Sequence, residues 1–157
     1  MPYGQAAGAR TPAQLFALAM GVVYLLVGIV GFAVTRSDVA GGGRDGVLII
    51  FAVNTLHNLL HLAVGVVWLV ASQVRAWAKT ANLLLGITYA LLAVLGFAGV
   101  LGFLAIGRLL DPDNILHLGT AAIAIYFGST GAEHLRGVTL RNPWLRLATH
   151  PRPSRSR

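Results

Sequence analysis

One apolar stretch of the sequence carries polar residues at the spacing of a helix face. At about 100° per residue, this face gathers Asn54, His57, Asn58, His61, Gly65, Trp68 and Ser72. A second stretch repeats the pattern more weakly, with Asn114 and His117. Polar side chains in such apolar helices face protein or water rather than lipid. We therefore expect both faces to point into a helical bundle.

Several kinds of chemistry suit these side chains. The simplest is structural, with asparagine and histidine bonding to Tyr24, Tyr89 and backbone carbonyls between helices at about 0.6 kcal/mol per bond. Two imidazoles on facing helices could instead ligate a haem iron, or the face could hold a quinone or pigment. A metal site at His57 and His61, with His117 as a further ligand, is a third possibility. We expect no carboxylate at that depth, so the structural interpretation is favoured, with no metal and no cofactor.

The sequence lacks the residue sets of common enzymes. It has no cysteine, no Ser-His-Asp set, no phosphate-binding loop and no paired catalytic carboxylates. Glu133 and His134, near Arg136, are typical of a solvated ion pair rather than of a proton-transfer pair. Asp113 precedes a predicted helix and suits a helix cap. We predict that the protein is not an enzyme.

Four charge-free stretches must position these side chains. They cover residues 11–35, 46–74, 80–107 and 114–132. The chain is 56% hydrophobic and 11% charged, whereas soluble domains carry about 25% charged residues. A helix needs about 20 apolar residues to cross the hydrocarbon core of a bilayer. We predict an all-α, four-helix transmembrane bundle with spans near 14–35, 48–72, 81–107 and 114–134.

The basic residues predict the orientation of these spans. One side receives Arg10, Arg75, Lys79 and the arginines of the C-terminal tail, and the other receives Arg36, Arg44 and Arg108. Cytoplasmic loops carry the excess of Lys and Arg. We therefore predict a multi-pass protein of the cell membrane with both termini cytoplasmic.

Three segments follow from this topology. Residues 1–13 form a cytoplasmic segment, residues 14–135 the transmembrane domain, and residues 136–157 a basic tail. The net charge of +7 is concentrated in that tail. Anionic lipid headgroups are its expected partner, rather than nucleic acid, because so short a tail holds no recognition fold.

An internal repeat links the two halves of the chain. Residues 21–33 align with residues 86–98, which matches Tyr24 with Tyr89. The unit Asn-x-Leu-His occurs at 54–57, 58–61 and 114–117. The pattern predicts a duplicated helical hairpin with a pseudo-two-fold axis along the membrane normal. His117 aligns with either His57 or His61, and the distances along the chain to the following arginines favour His57.

These motifs resemble a bacterial family known as domain of unknown function 4383. The resemblance rests on Asn54-Thr-Leu-His57-Asn58-Leu-Leu-His61-Leu-x-x-Gly65, on Asp113-Asn114-Ile-Leu-His117-Leu, and on the two Gly-x-x-Tyr helices. It covers roughly residues 14 to 131. The resemblance implies a small, mostly actinobacterial, four-helix membrane protein and no particular activity.

Together these patterns favour a small integral membrane protein without catalytic activity. We expect an accessory subunit of a membrane complex or a homo-oligomer. The alternative is a haem- or pigment-binding electron-transfer protein that uses histidines of helices 2 and 4. A transporter or channel is less favoured, because ion paths usually carry carboxylates within the spans.

Overall fold

The computed structural model describes residues 9–35 and 44–130 of the chain. This part is mostly helical, with α1 (Pro12–Val34), α2 (Thr55–Ala71), α3 (Arg75–Phe97) and α4 (Pro112–Ser129). A two-stranded antiparallel hairpin, β1 (Gly46–Leu48) and β2 (Phe51–Val53), precedes α2. A single 3-10 turn, Gly102–Leu104, lies between α3 and α4. The predicted basic tail and the Glu133–His134 pair lie outside the described residues.

Two of the helices are long and apolar enough to cross a membrane. They are α1 and α3, and α2 is a shorter apolar helix. The first two helices begin at capping residues. The Thr11 hydroxyl and the Gln14 side chain form a capping box at α1, and Asn54 Oδ1 accepts a hydrogen bond from the His57 N–H at α2. Pro12 and Pro112 occupy first-turn positions, where a missing N–H costs nothing.

Small residues let the helices pack closely in pairs. α1 runs antiparallel to α2, since Gly21 lies against Leu69 and Gly31 lies against Asn58. α3 pairs with α4 in the same way, and Gly86 lies against Ile125. A Cβ at Gly21 or Gly86 would stand less than 3 Å from the facing leucine or isoleucine. The two helical hairpins therefore depend on glycine where their axes come closest.

The packed interior has two parts. The larger contains Tyr24, Trp68 and Tyr89, together with small residues of all four helices. The smaller contains Leu101, Leu104 and Ile106, which pack on leucines of α2 and α3. We call residues 44–53 and 98–111 the cap, because they cover the end of the bundle where α2 and α4 begin.

The helix bounds differ from the predicted spans. The span predicted over 48–72 begins as a helix only at Thr55, because Gly46 pairs with Val53 and Leu48 with Phe51 in the hairpin. Asn54 is consequently the N-cap residue of α2 and not part of its helical face. The span predicted over 81–107 is helical over 75–97, because Gly99 takes a φ of +74° that breaks the helix. α1 and α4 each begin two residues before the predicted position.

Candidate functional site

The structure brings the predicted polar residues together inside the bundle. All eight are buried, with exposures between 0% and 6%: Tyr24, Asn54, His57, Asn58, His61, Tyr89, Asn114 and His117. They come from all four helices and from the residue that caps α2. Helical periodicity predicted the inward position of the residues within the helices, whereas Asn54 is buried as the N-cap residue of α2.

The three histidines form a continuous cluster of rings. The ring centroids of His57 and His61 are 4.4 Å apart, and those of His57 and His117 are 6.3 Å apart. One tyrosine flanks each end, with Tyr24 at 5.2 Å from His61 and Tyr89 at 5.1 Å from His117. The cluster thus joins α2 to α4 and is bordered by α1 and α3.

Asp113 belongs to this cluster, contrary to the expectation from the sequence. It lies in the first turn of α4, is 2% exposed, and its Oδ1 is 4.0 Å from His57 Nε2. Donor atoms of His57, Asp113 and His117 all lie within 4.8 Å of one another. The expectation of no carboxylate at this depth is wrong because the cap covers the start of α4 and buries its first turn.

The helix-capping position expected for Asp113 is occupied by Asp111. Its carboxylate accepts a hydrogen bond from the Arg108 N–H at 2.9 Å and forms an ion pair with Arg44. Burial alone would raise the pKa of Asp111, but these two partners outweigh it and lower the pKa below the ordinary value. The two neighbouring aspartates therefore have different environments, one paired at the cap and one facing the histidines.

Several polar atoms of the cluster lack hydrogen-bond partners among the described residues. They are Nδ1 of His57, His61 and His117, Oδ2 of Asp113, and Oδ1 of Asn58 and Asn114. Burying a polar atom without a partner costs free energy, and folded proteins avoid it in most places. Such a concentration in one cluster is typical of a site that binds something.

The two asparagines hold equivalent places in the two helical hairpins. The Asn58 carboxamide lies directly on Gly31, and the Asn114 carboxamide lies directly on Gly96. Their Nδ2 groups donate to Thr35 Oγ1 at 3.4 Å and to the Arg108 carbonyl at 3.1 Å, respectively. Neither Gly31 nor Gly96 leaves room for a side chain.

This equivalence aligns the histidines of the repeat. Asn58 matches Asn114, so three residues further on His61 matches His117. The tyrosine contacts agree, since Tyr24 meets His61 as Tyr89 meets His117. The contacts thus favour His61 as the counterpart of His117, whereas the chain distances to the arginines had favoured His57. The counterpart of His57 is Asp113.

The cap contacts the polar cluster at the end of the bundle where α2 and α4 begin. Asn54 Nδ2 donates to the Phe103 carbonyl at 2.8 Å, which joins α2 to the 3-10 turn. Backbone groups of Ala52 and Leu104 flank the His57 imidazole. The hairpin and the 3-10 turn, neither of which was predicted from the sequence, therefore supply part of the surroundings of His57.

An apolar groove of about 490 Å³ runs between α1 and α4. Aliphatic and aromatic side chains such as Phe16, Met20 and Ile123 form most of its walls. Its polar groups are Tyr24, His61 and Thr120, and the Tyr24 hydroxyl lies 3.5 Å from Thr120 Oγ1. The lining includes neither His57 nor His117. Haem ligation by these histidines stays a prediction.

Comparison with known protein families identifies the family of this chain. Residues 14–130 match the family described as domain of unknown function, DUF4383. The chain belongs to this family. No curated protein and no solved structure matches it. The matched region of this DUF4383 protein holds both the cap and the polar cluster.

Proposed function

We propose that this DUF4383 protein is a four-pass integral membrane protein. The observation that carries the proposal is the inverted distribution of its side chains. Glycine, alanine, asparagine and histidine fill the interior, while large aliphatic residues lie outside. On α1, for example, Gly28 is buried and Leu26 is 56% exposed. An apolar surface of this kind suits lipid and would promote aggregation in water.

Every helix contributes to this apolar exterior. Residues from 44% to 65% exposed include Val22 and Ile29 of α1, Leu59 and Val66 of α2, Leu84 and Val94 of α3, and Ile115 and Leu118 of α4. The polar Thr88 also faces outward, and its hydroxyl donates to the Leu84 carbonyl of its own helix at 3.0 Å. Satisfying polar groups within the helix is what a lipid environment demands.

The proposed architecture is a duplicated helical hairpin with its pseudo-two-fold axis along the membrane normal. The recurring contacts support it, since Asn58 lies on Gly31 as Asn114 lies on Gly96. A repeat unit of two helices returns the chain to its starting side, so both copies cross the membrane in the same sense.

Basic residues support the orientation. Arg75 and Lys79 begin α3 at the end of the bundle opposite the cap, and Arg10 precedes α1 at the same end. The cap carries Arg44 and Arg108, and Arg36 lies at the same end of the sequence pattern, whereas six further arginines follow α4 in the sequence. By the positive-inside rule, this distribution supports the proposal that both termini are cytoplasmic and that the cap lies on the other side.

We further propose that the protein works by binding, as an accessory subunit of a membrane complex or as a homo-oligomer. The closed position of the polar cluster supports this, because the cap and the helices shield His57, Asp113 and His117 from water and from a large substrate. A stoichiometric partner, or a defined multimer, in protein extracted with its native lipids would support the proposal. A chain recovered alone as a monomer would contradict it.

Single cysteines test the topology directly, since the natural chain has none. Leu110→Cys in the cap, at a position 88% exposed, should react with an impermeant thiol reagent in intact cells. Gln73→Cys, exposed in the turn between α2 and α3, should react only after the membrane is permeabilised. Labelling of Gln73→Cys in intact cells would overturn the orientation. Release of the protein from membranes without detergent would overturn the membrane proposal itself.

A further inference from the structure

Two imidazoles and one carboxylate converge under the cap. His57, Asp113 and His117 are each 2–3% exposed, and their donor atoms lie within 4.8 Å of one another. Ligands of a tetrahedral metal ion at about 2.0–2.2 Å from it stand about 3.4 Å from each other. The 4.0 Å between His57 Nε2 and Asp113 Oδ1 is close to that spacing. Bringing donor atoms that lie within 4.8 Å of one another to the spacing of a metal site requires side-chain shifts of about 1 Å.

Interhelical hydrogen bonding does not account for these three side chains. The 4.0 Å between His57 Nε2 and Asp113 Oδ1 is too long for a hydrogen bond. Asp113 Oδ2 and His117 Nδ1 have no partner in the described part of the chain. Asp113 also forms no ion pair with a lysine or arginine there, since the guanidinium of Arg44 is paired with Asp111. A buried, ionised carboxylate with no positive partner among the described residues is costly, so the position favours a bound cation or a proton on Asp113.

We propose that His57, Asp113 and His117 bind one divalent transition-metal ion. Two imidazole nitrogens and one carboxylate oxygen are a set that Zn²⁺ and Fe²⁺ accept, whereas Mg²⁺ and Ca²⁺ require oxygen ligands. The inference goes beyond the proposed function and rests on its topology only for the location of the ion, on the non-cytoplasmic side of the bundle. A fourth position on the ion is left for water or for a further ligand.

The surroundings of the three residues suit a metal site. Asn54 fixes the start of α2 by accepting the His57 N–H, and its amide joins the cap through the Phe103 carbonyl. Backbone groups of Ala52 and Leu104 flank one imidazole, and Tyr89 packs beside the other. Oriented neighbours of this kind hold ligand rings in place and tune the ion.

The repeat explains how the mixed ligand set arises. His57 of the first helical hairpin and Asp113 of the second occupy equivalent positions, and so do His61 and His117. The proposed site uses both His57 and Asp113, but of the second equivalent pair it uses only His117. His61 stays outside the converging set, with its ring against His57 and its edge on the groove. Each half of the duplicated chain thus supplies part of one site.

The test measures metal binding by the purified full chain in detergent. Protein stripped with a chelator is titrated with Zn²⁺ and, separately, with Co²⁺, whose visible absorption reports the coordination geometry. We expect one ion per chain. Asp113→Asn and His117→Gln should weaken binding by more than the roughly 10–100-fold that loss of a ligand's hydrogen-bond partner costs.

Two controls match these variants. Asp111→Asn removes the same charge two positions away and should weaken Zn²⁺ binding far less than Asp113→Asn does, because Asp111 faces Arg44 and not the histidines. A double variant, His134→Gln with His150→Gln, removes the two histidines that lie outside the described residues. It should bind Zn²⁺ as the natural chain does.

The outcomes distinguish the proposed metal site from haem binding and from an error in the topology. Unchanged Zn²⁺ affinity in Asp113→Asn or His117→Gln would overturn the metal site. If these variants fail to fold, an octahedral, water-like Co²⁺ spectrum of the natural chain would overturn it instead. A Soret band in protein from its native membrane would replace the ion by haem. Correct labelling of Leu110→Cys without metal binding would reject the metal site alone. Binding with reversed labelling would reject the topology alone.

Discussion

At the scale of single residues, two aspartates separated by one proline have opposite surroundings. Asp111 precedes α4 and turns toward the cap, where the Arg108 N–H and Arg44 meet it. Asp113 lies within the first helical turn and faces the histidines. The motif Asp-Pro-Asp predicts a helix start correctly. It does not say which carboxylate faces inward, because that depends on how α4 packs beneath the cap, of which residues 44–53 are distant in the sequence.

The pairing of Asp111 predicts a dependence of stability on pH. Burial raises its pKa, but the Arg108 N–H and Arg44 lower it more, so the folded pKa lies below the ordinary value. A depressed carboxyl pKa stabilises the fold above the unfolded pKa, and this stabilisation is lost as the pH falls through the folded pKa. We expect Asp111→Asn to melt at a lower temperature than the natural chain at pH 7.

The same variant should lose less stability on acidification. Below the ordinary pKa of 3.8, the melting temperature of the natural chain should fall while that of Asp111→Asn changes less. Arg44→Gln, which removes the partner, should reduce the melting temperature at pH 7 in the same direction. Parallel melting curves of natural chain and Asp111→Asn across this range would contradict the assignment.

At the scale of elements, the sequence predicted the number of helices but misplaced their ends. Long charge-free stretches indicated four helices, and four are present in the described residues. Residues 46–53 are as apolar as the predicted membrane-spanning helices, yet they form a β-hairpin. Hydropathy cannot separate these forms over a short apolar run. Asn54 indicates where α2 begins, since asparagine before a periodic apolar segment favours a helix start.

The sequence predicted those residues of the candidate site whose inward position follows from the pattern of their own helix. Periodicity along α2 placed His57, Asn58 and His61 on one inward face, and all three are buried. Asp113 was missed because its burial arises from contact between α4 and the cap. Helical periodicity is local, whereas the approach of α4 to α2 depends on tertiary packing that no short pattern encodes.

Glycines under the asparagines give a prediction for helix pairing. Gly31→Ala and Gly96→Ala should each destabilise the bundle by about 1–3 kcal/mol, because the new methyl group would collide with the carboxamide of Asn58 or Asn114. Gly119→Ala is the matched control within α4. Its new Cβ would meet nothing within 4 Å, so the variant should be neutral or slightly more stable.

Thermal melts in detergent, followed by far-ultraviolet circular dichroism, compare the three variants. Equal melting temperatures for Gly96→Ala and Gly119→Ala would contradict the close approach of α3 to the Asn114 carboxamide. A loss in Gly31→Ala alone would indicate that the two helical hairpins are not packed equivalently.

At the scale of the whole molecule, the two ends of the bundle differ in how their polar groups are satisfied. Far from the cap, Trp68 Nε1 donates to Asn82 Oδ1 at 3.0 Å, and Asn82 Nδ2 donates to the Ala13 carbonyl at 3.1 Å. Gln14 adds a bond to the Ser72 carbonyl at 3.0 Å. Near the cap, the histidines and Asp113 keep atoms without a hydrogen-bond partner among the described residues. One end thus holds the helices together, and the other carries the polar atoms of the proposed metal site.

This division predicts that stability and metal binding can be changed separately. Asn82 joins α3 to both α2 and α1, so Asn82→Leu removes two interhelical bonds and leaves the buried Trp68 N–H without its acceptor. Bonds between membrane helices contribute about 0.6 kcal/mol each and rarely more than about 2. We expect a lower melting temperature. Thr88→Val, which removes only a bond within α3 on the exposed face, should leave the melting temperature unchanged.

The affinity for Zn²⁺ decides whether the two ends are independent. It should be the same in Asn82→Leu and in the natural chain at temperatures where both are folded, because Asn82 bonds to Trp68 and Ala13 and makes no hydrogen bond to the cluster under the cap within the described residues. The two ends share no hydrogen-bond partner among the described residues, and they are linked by ring contacts, since Trp68 packs on Tyr89 and Tyr89 packs on His117. A Zn²⁺ affinity that falls with the melting temperature in Asn82→Leu would instead mean that the Trp68–Asn82 tie positions α2 and α4 for the ion, and that the bundle responds as one unit.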